Sequence, residues 1–400
     1  MRVLHLEDLV DNRPCSYGDD LGQHDHEFPV VKVSNIDGNG HFKNAFEERS
    51  FEHKNLKKLL AQEGDLLVVK SSGSKRNILS GKTALVDSEL SNKIVSSNFL
   101  LRLVPKKEKV VSKYLWYLLN SPFSHNFIKT IVGTTTYPNL KWELYSKHPV
   151  PYVEVPRQQQ IVQILDTAES LCEKRKEQLN LFDYYLESVF LEMFGDPVIN
   201  DKEWETTYLG SVIDSIESGW SPVCLDTQRQ LNEIPVILKL GAVTYCYFNP
   251  KNHKVIPTNI KIEKKVEVKK QDLLFTRKNT KELVAASAFV FDCKRNLLLP
   301  DTIFRLNYKK ELVNGIFLWK LLVEKGFRRV IQNLATGSAG SMPNISKEKL
   351  RRLLIPFPPI ELQNKFASVV EQVEQTKQKM RASLDEMDNH FNALMQRHFG

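Results

Sequence analysis

One stretch, from Pro156 to Gly195, limits what this chain can become, and it occurs again from Glu361 to Gly400. In the first copy Ile161, Leu165, Ala168, Cys172, Arg175, Leu179, Phe182, Leu186, Val189 and Met193 alternate at steps of four and three. That heptad spacing lines one side of a helix, so it predicts a long helix with one apolar edge. A shift of 205 positions (Ile161 to Phe366) repeats it as Phe366, Val370, Val373, Lys377, Met380, Leu384, Met387, Phe391, Leu394 and His398. Both copies end on Phe-Gly and carry a Gln on the first turn, Gln158 and Gln363. At ~1.5 Å per residue such a helix is ~57 Å long. An ordinary packed core helix is the alternative. The polar faces (Glu169, Glu173, Lys174, Lys176; Glu371, Gln372, Gln375, Lys379) favour a rod in which the two seams bury each other. Arg175 and Lys377 fall on the seam, where stems can pack, heads reach outward and the register is set.

The remaining chain is also written twice. Residues 1–153 alternate short apolar runs with turn chemistry. Phe28–Val33, Asp65–Lys70, Thr83–Val86 and Asn98–Leu103 are expected as strands, and Val110–Leu119 and Pro122–Ile131 as helices, the second capped by Ser121. Lys32-Val33-Ser34-Asn35-Ile36 corresponds to Lys239-Leu240-Gly241-Ala242-Val243, and Asp65-Leu66-Leu67-Val68 to Asp272-Leu273-Leu274-Phe275. Tyr137-Pro138-Asn139-Leu140 corresponds to Met342-Pro343-Asn344-Ile345. An offset that holds register over the whole length means duplication. The expected class is α+β: mixed domains at 1–153 and 197–355, long helices at 154–196 and 356–400. Antiparallel pairing of the helices then implies a pseudo-two-fold repeat inside one chain.

Composition narrows function without deciding it. A formal charge of +8 over 400 residues favours a polyanionic partner. The five cysteines are scattered, without a Cys-x-x-Cys pair, so neither a disulfide framework nor a zinc site is expected. Met1–Val10 lacks a signal-peptide pattern and no run of eighteen apolar residues occurs, so cytoplasm and no membrane are the expectation. Ser80-Gly81-Lys82-Thr83 imitates the tail of a phosphate-binding loop, but Arg76 stands where that loop needs Gly. Pro300-Asp301 could open a metal-dependent nuclease site, but Glu267 and Lys269 precede it in the wrong order, so a buried strand end is expected. His24, His26 and His41 share a region, for which a surface loop is the simpler account. No catalytic residue, metal or cofactor is assigned to this chain.

Binding signals are better. Lys70, Ser71, Ser72, Ser74, Lys75, Arg76 and Asn77 follow one expected strand, and Arg277, Lys278, Asn279 and Lys281 follow its equivalent. Arg and Asn read guanine and adenine edges bidentately, while Lys and hydroxyls suit phosphate oxygens. A solvated turn is the alternative for either loop alone; the basic, polar character in both copies favours nucleic acid. A second loop pair, with Thr135, Thr136, Tyr137 and Asn139 in one copy and Ser338, Ser341 and Asn344 in the other, either holds phosphates or simply turns the chain. Lys261–Lys281 holds eight Lys/Arg against three acids, a basic stripe or a solvated face.

In this order, these features resemble the specificity subunit of type I restriction–modification enzymes. The resemblance is carried by the doubled plan, Asp272–Arg277, Lys70-Ser71-Ser72-Gly73-Ser74, Glu192-Met193-Phe194-Gly195-Asp196-Pro197 and the Pro-rich entry Ile355–Gln363. Arg157 and Leu362 stand where that family usually has Glu, and Val153-Glu154-Val155-Pro156 replaces its Pro-Pro. The resemblance implies two target-recognition domains on double-stranded DNA, each reading half of a bipartite, asymmetric site, with the helices setting the spacer. It implies two modification subunits that bring S-adenosylmethionine and methylate adenine, and restriction subunits that use ATP and Mg. The chain itself would be non-catalytic. The rival is a coiled-coil scaffold joining two protein-binding modules, in which the basic loops serve solubility.

Overall fold

The computed structural model describes residues 2–43, 45–71, 73–74, 77–132, 139–224, 235–262, 266–293, 296–337 and 342–400, with backbone alone at 55, 73, 74, 77 and 78. It divides into two compact units, Met1–Lys176 with Ala382–Gly400, and Glu177–Arg381. The division passes through both long helices, Val155–Phe194 and Ile360–Phe399, so each unit owns one end of each.

In unit 1 a four-stranded antiparallel sheet runs in the order Val10–Arg13, Leu100–Pro105, Leu66–Val69, Thr83–Leu85. Leu66-Leu67-Val68-Val69 is apolar throughout because both faces of the strand are covered. Leu66 and Val68 face the core that holds helix Ser112–Leu119, and Leu67 and Val69 face a second core with Val31 and Ala84. A smaller sheet pairs His26–Val31 antiparallel with Glu47–Phe51 and parallel with Val95–Ser96. Arg2–His5 pairs with Pro149–Tyr152. Helix Pro122–Ile131 starts as its sequence predicts, with the Ser121 hydroxyl accepting from the Ser124 N–H at 3.3 Å.

Unit 2 repeats these three sheets in the same order and sense. Its four strands are Ile213–Ser218, Ile303–Tyr308, Leu273–Thr276 and Ser287–Phe289. Val236–Leu238 pairs antiparallel with His253–Val255 and parallel with Leu297–Leu298, and Thr206–Tyr208 pairs with Leu354–Pro356. Duplication extends to single hydrogen bonds. The Arg102 Nε donates to Asp65 Oδ2 at 2.7 Å, and at the equivalent place the Arg305 Nη1 donates to Asp272 Oδ2 at 3.1 Å. Each carboxylate also accepts a main-chain N–H, from Gln62 and Lys269.

The helix seams behave as their spacing predicts: no position of either is exposed. In unit 1 Ile161 and Leu165 share a core with Met395 and Phe399, with Phe391 and Leu394 packed against it. In unit 2 Leu186, Phe190 and Phe194 share one with Phe366, Val370 and Val373, with Phe182 and Val189 against it. The start of one helix therefore meets the end of the other in both units, which makes the pair antiparallel. Leu179, Met380, Leu384 and Met387 are half-buried. Lys377, only 3% exposed, has its Nζ 2.6 Å from Asp183 Oδ1 on the facing helix and 3.2 Å from Glu374 Oε1 on its own. The seam missed one stripe. Leu186-Phe190-Phe194 and Phe391-Met395-Phe399 step by four, driving the last turns of each helix into a domain core. Gly195 then ends the first helix at φ +74°, where a Cβ would meet Asp201 Oδ1 at 1.9 Å.

The first-turn glutamines bind each domain to its helix. Gln158 is fully buried; its Oε1 accepts from Val111 N at 2.8 Å, and its Nε2 donates to the Lys109 and Val153 carbonyls at 3.0 and 2.8 Å. Gln363 does the same in unit 2, accepting from Asn314 N at 2.9 Å and donating to Pro358 O at 2.8 Å. Val111 and Asn314 are the N-caps of equivalent helices. Gln158→Leu strands a buried N–H and two carbonyls, so it should cost about 1–3 kcal/mol. A denaturation midpoint that does not move would show that these bonds contribute nothing.

Candidate nucleic-acid interface

The described residues that flank the two separate loop pairs singled out in the sequence are joined to each other in each unit. In unit 1 the strand Leu66–Val69 runs into Lys70, whose N–H donates to Phe99 O at 2.9 Å and whose carbonyl accepts from Leu140 N at 2.8 Å. Ser71 bridges to Asn139, and beyond it Gly73–Ser74 pairs antiparallel with Asn77–Ile78. In unit 2 the Arg277 N–H donates to Thr302 O at 3.1 Å and its carbonyl accepts from Ile345 N at 2.8 Å. Lys278 bridges to Asn344, which also exchanges two 2.9 Å main-chain bonds with Thr336. Each clasp ties a strand end to the segment that follows the hydroxyl-rich stretch by main-chain bonds. Side-chain identity is therefore left free to differ while the frame stays constant.

The side chains do differ. Lys70 corresponds to Arg277, Asn98 to Asp301 and Phe99 to Thr302. Phe99 is 57% exposed. Arg277 lies with its guanidinium carbon 5.4 Å from the centroid of the buried Phe304 ring, and Lys347 approaches the same ring at 5.6 Å. Asn139 and Lys281 are exposed, and Lys70, Ser71, Lys278 and Asn344 are half-buried. Ser72, Lys75, Arg76, Thr135, Thr136, Tyr137, Ser338 and Ser341 lie outside the described residues, as do the side chains of Ser74 and Asn77.

Two expectations need correction. Asn279 is buried, with its Nδ2 donating to Thr244 Oγ1 at 3.2 Å and its Oδ1 accepting from Thr280 N at 2.9 Å. Its amide is consumed in shaping the loop and is not presented to a base. Asp301 is not a buried strand end: its side chain is 46% exposed, accepts from the Ser221 hydroxyl and lies 3.9 Å from Arg277 Nη2. Ser80-Gly81-Lys82-Thr83 leads into the strand Thr83–Leu85, whereas a phosphate loop opens a helix. The histidines separate: His24 pairs with Asp19 at 2.9 Å, the His26 ring lies tilted against that of His53 with centroids 5.0 Å apart, and His41 lies 3.6 Å from Glu169, whose carboxylate raises its pKa.

One surface was missed. Tyr245 and Tyr247 are 66% and 50% exposed, their rings near-parallel with centroids 6.4 Å apart. Between them Cys246 adopts φ +64°, and its carbonyl accepts from Trp319 Nε1 at 3.1 Å. Trp116 makes the matching bond to Gly40 O in unit 1. Thr244, bonded to Asn279, joins this aromatic pair to the Arg277 loop. The paired Tyr at this spacing was visible in the sequence, but a Tyr-Cys-Tyr run does not by itself say that both rings face solvent.

The type I restriction modification DNA specificity domain family matches residues 22–181 and 201–386, one copy for each repeat. The chain belongs to that family. Among curated relatives, the EcoEI type I restriction enzyme specificity subunit of Escherichia coli is 28% identical over 169 residues, 42% of this chain and 28% of that protein. The MjaIX specificity subunit of Methanocaldococcus jannaschii is 29% identical over 32% of this chain and 33% of that protein, so these two alignments span about a third or less of each relative. The MjaVIII specificity subunit of the same organism is 19% identical across 85% of this chain and 79% of that protein. The specificity-domain fold also recurs among solved structures. A type I restriction-modification system S subunit from M. genitalium is 12% identical, covering 100% of this chain and 96% of that one, with a TM-score of 0.58. A chain from a structure of type I R-M complex assembly and conformational transition gives 17%, 100%, 97% and 0.55. No described helix is long and apolar enough to cross a membrane.

Proposed function

We propose that this chain is the DNA sequence-recognition component of a type I restriction–modification complex. Each unit reads one half of a bipartite, asymmetric site, and the chain directs adenine methylation or cleavage by partners without performing either. One observation carries the reading: the same main-chain clasp is built twice, with Lys70, Asn98 and Phe99 in one copy and Arg277, Asp301 and Thr302 in the other. A duplicated frame that holds different polar and cationic side chains suits two different short sequences. The family membership and the net charge of +8 support a DNA partner. Two modification subunits supply S-adenosylmethionine, restriction subunits supply ATP and Mg chemistry, and the chain works in the cytoplasm.

The full chain, copurified with its modification subunits, should bind one split sequence at least ~10³-fold more tightly than random duplex at moderate salt. Its affinity for any duplex should fall as salt rises. Equal retention of all duplexes in a competition assay would defeat the proposal and favour the scaffold.

A further inference from the structure

We infer that Arg277 reads a guanine in the half-site bound by unit 2, with Asp301 holding its guanidinium for that task. This rests on the DNA-reading role and names the base. Four observations converge on the residue. The Arg277 main chain is pinned on both sides, to Thr302 and Ile345, so the root of the side chain has one position. Its guanidinium lies over the Phe304 ring at 5.4 Å, which gives the plane a floor. Its Nε is buried without a hydrogen-bond partner among the described residues while 30% of the side chain stays exposed, so a ligand meets the Nη end. Asp301 Oδ2 stands 3.9 Å from Nη2 and is itself fixed by Ser221, whose hydroxyl donates to Asp301 Oδ1 and accepts from the Asp301 N–H at 3.2 Å.

The carboxylate decides between phosphate and base. A phosphate drawn to Arg277 would be brought near a half-exposed anion, which opposes it. A neutral edge with two acceptors meets no such opposition. Guanine, with O6 and N7 in the major groove, presents that edge to a planar fork. Asp301 can then accept from the exocyclic amine of a neighbouring base, an interaction no phosphate offers. Lys347, at 5.6 Å from the same ring and carrying a compact point charge, is the better phosphate contact. Unit 1 has Lys70 and Asn98 at these places, a point charge and a neutral amide, so the planar fork and its carboxylate partner are absent there.

The test is selection from a randomised duplex library by the full chain in complex with its modification subunits, with affinities read across salt. The parent should show a G·C pair at one position of one half-site. Arg277→Ala should lower discrimination there roughly tenfold to a hundredfold and leave the other positions intact. Arg277→Lys should weaken the preference while keeping the salt slope, because charge remains and the planar fork does not. Asp301→Asn should weaken the preference less than Arg277→Ala. A uniform loss of affinity in Arg277→Ala, with a salt slope reduced by about one, would mark a phosphate contact and overturn the inference. Retention of the preference in Arg277→Ala, or loss at an A·T position, would overturn it too. All three leave the DNA-reading role standing. A parent complex that selects no sequence would remove that role and this inference together. Thermal unfolding of each variant separates misfolding from lost contact.

Discussion

Arg102→Ala is expected to destabilise unit 1 by about 3–5 kcal/mol, a large part of the stability of a typical domain. The reason is what remains. The side chains of Arg102 and Asp65 are 6% and 3% exposed, and their 2.7 Å bond is the only ion pair shown for either among the described residues. Removing the guanidinium leaves a carboxylate that is only 3% exposed, facing the emptied volume. It also releases the Lys58 carbonyl, which Arg102 Nη1 holds at 2.9 Å. The matching change in unit 2, Arg305→Ala, should cost less, since Glu217 and Asp272 are 40% and 13% exposed and retain some hydration. Replacing Arg102 and Asp65 together by Met and Leu should recover much of the loss, because a well-filled apolar pair often matches a buried ion pair. Denaturant titrations of the four proteins check the order. Equal costs at Arg102 and Arg305, or a double variant no better than the single, would refute this account.

Phe399→Ala should cost a similar ~3–5 kcal/mol, and Phe194→Ala likewise. Phe399 is 1% exposed, with its ring 5.2 Å from that of Tyr114 in unit 1. Phe194 is 3% exposed and lies 4.7 Å from Phe317 and 5.4 Å from Phe366 in unit 2. Each is the last helical residue of its long helix, so the empty space would sit where helix end and domain core join. Neighbouring side chains on sheet and helix are fixed by their own packing and can collapse only in part. Leu181→Ala provides the control: 59% exposed on the same helix as Phe194, it should change stability by no more than about 0.5 kcal/mol. Hydrogen exchange should show Phe399→Ala loosening residues 382–400 and the Ser112–Leu119 helix before the sheet. Protection lost evenly through unit 1 would argue against a local joint.

Much of the architecture is written in periodicity. The heptads foretold two helices at nearly their observed bounds and kept every seam residue from exposure, because a helix that must bury one edge has to repeat apolar residues at that spacing. The constant offset foretold two like domains. It also paired Lys32–Ile36 with Lys239–Val243, where the structure has matching short 3-10 turns at Val33–Asn35 and Leu240–Ala242. Less legible was Phe190: it stands one place off the seam, and only the domain core packed against the helix makes it interior. The parallel pairing of His26–Val31 with Val95–Ser96 had no local signal, since a two-residue strand carries no period.

At the candidate interface the same division holds. Basic, hydroxyl-bearing loops after equivalent strands were visible because residue type and strand-end position are properties of the chain in order. That both loop pairs belong to one clasp was not, since Lys70 and Leu140, like Arg277 and Ile345, are joined by hydrogen bonds across long separations. Nor was the opposite fate of two neighbours, Arg277 partly exposed over a ring and Asn279 buried against Thr244. The amino-acid order alone determined the duplicated plan, the paired helices and the chemical character of the loops. Which side chains face outward, and which companions orient them, was decided by tertiary packing, because exposure is set by whatever distant segments happen to cover a residue.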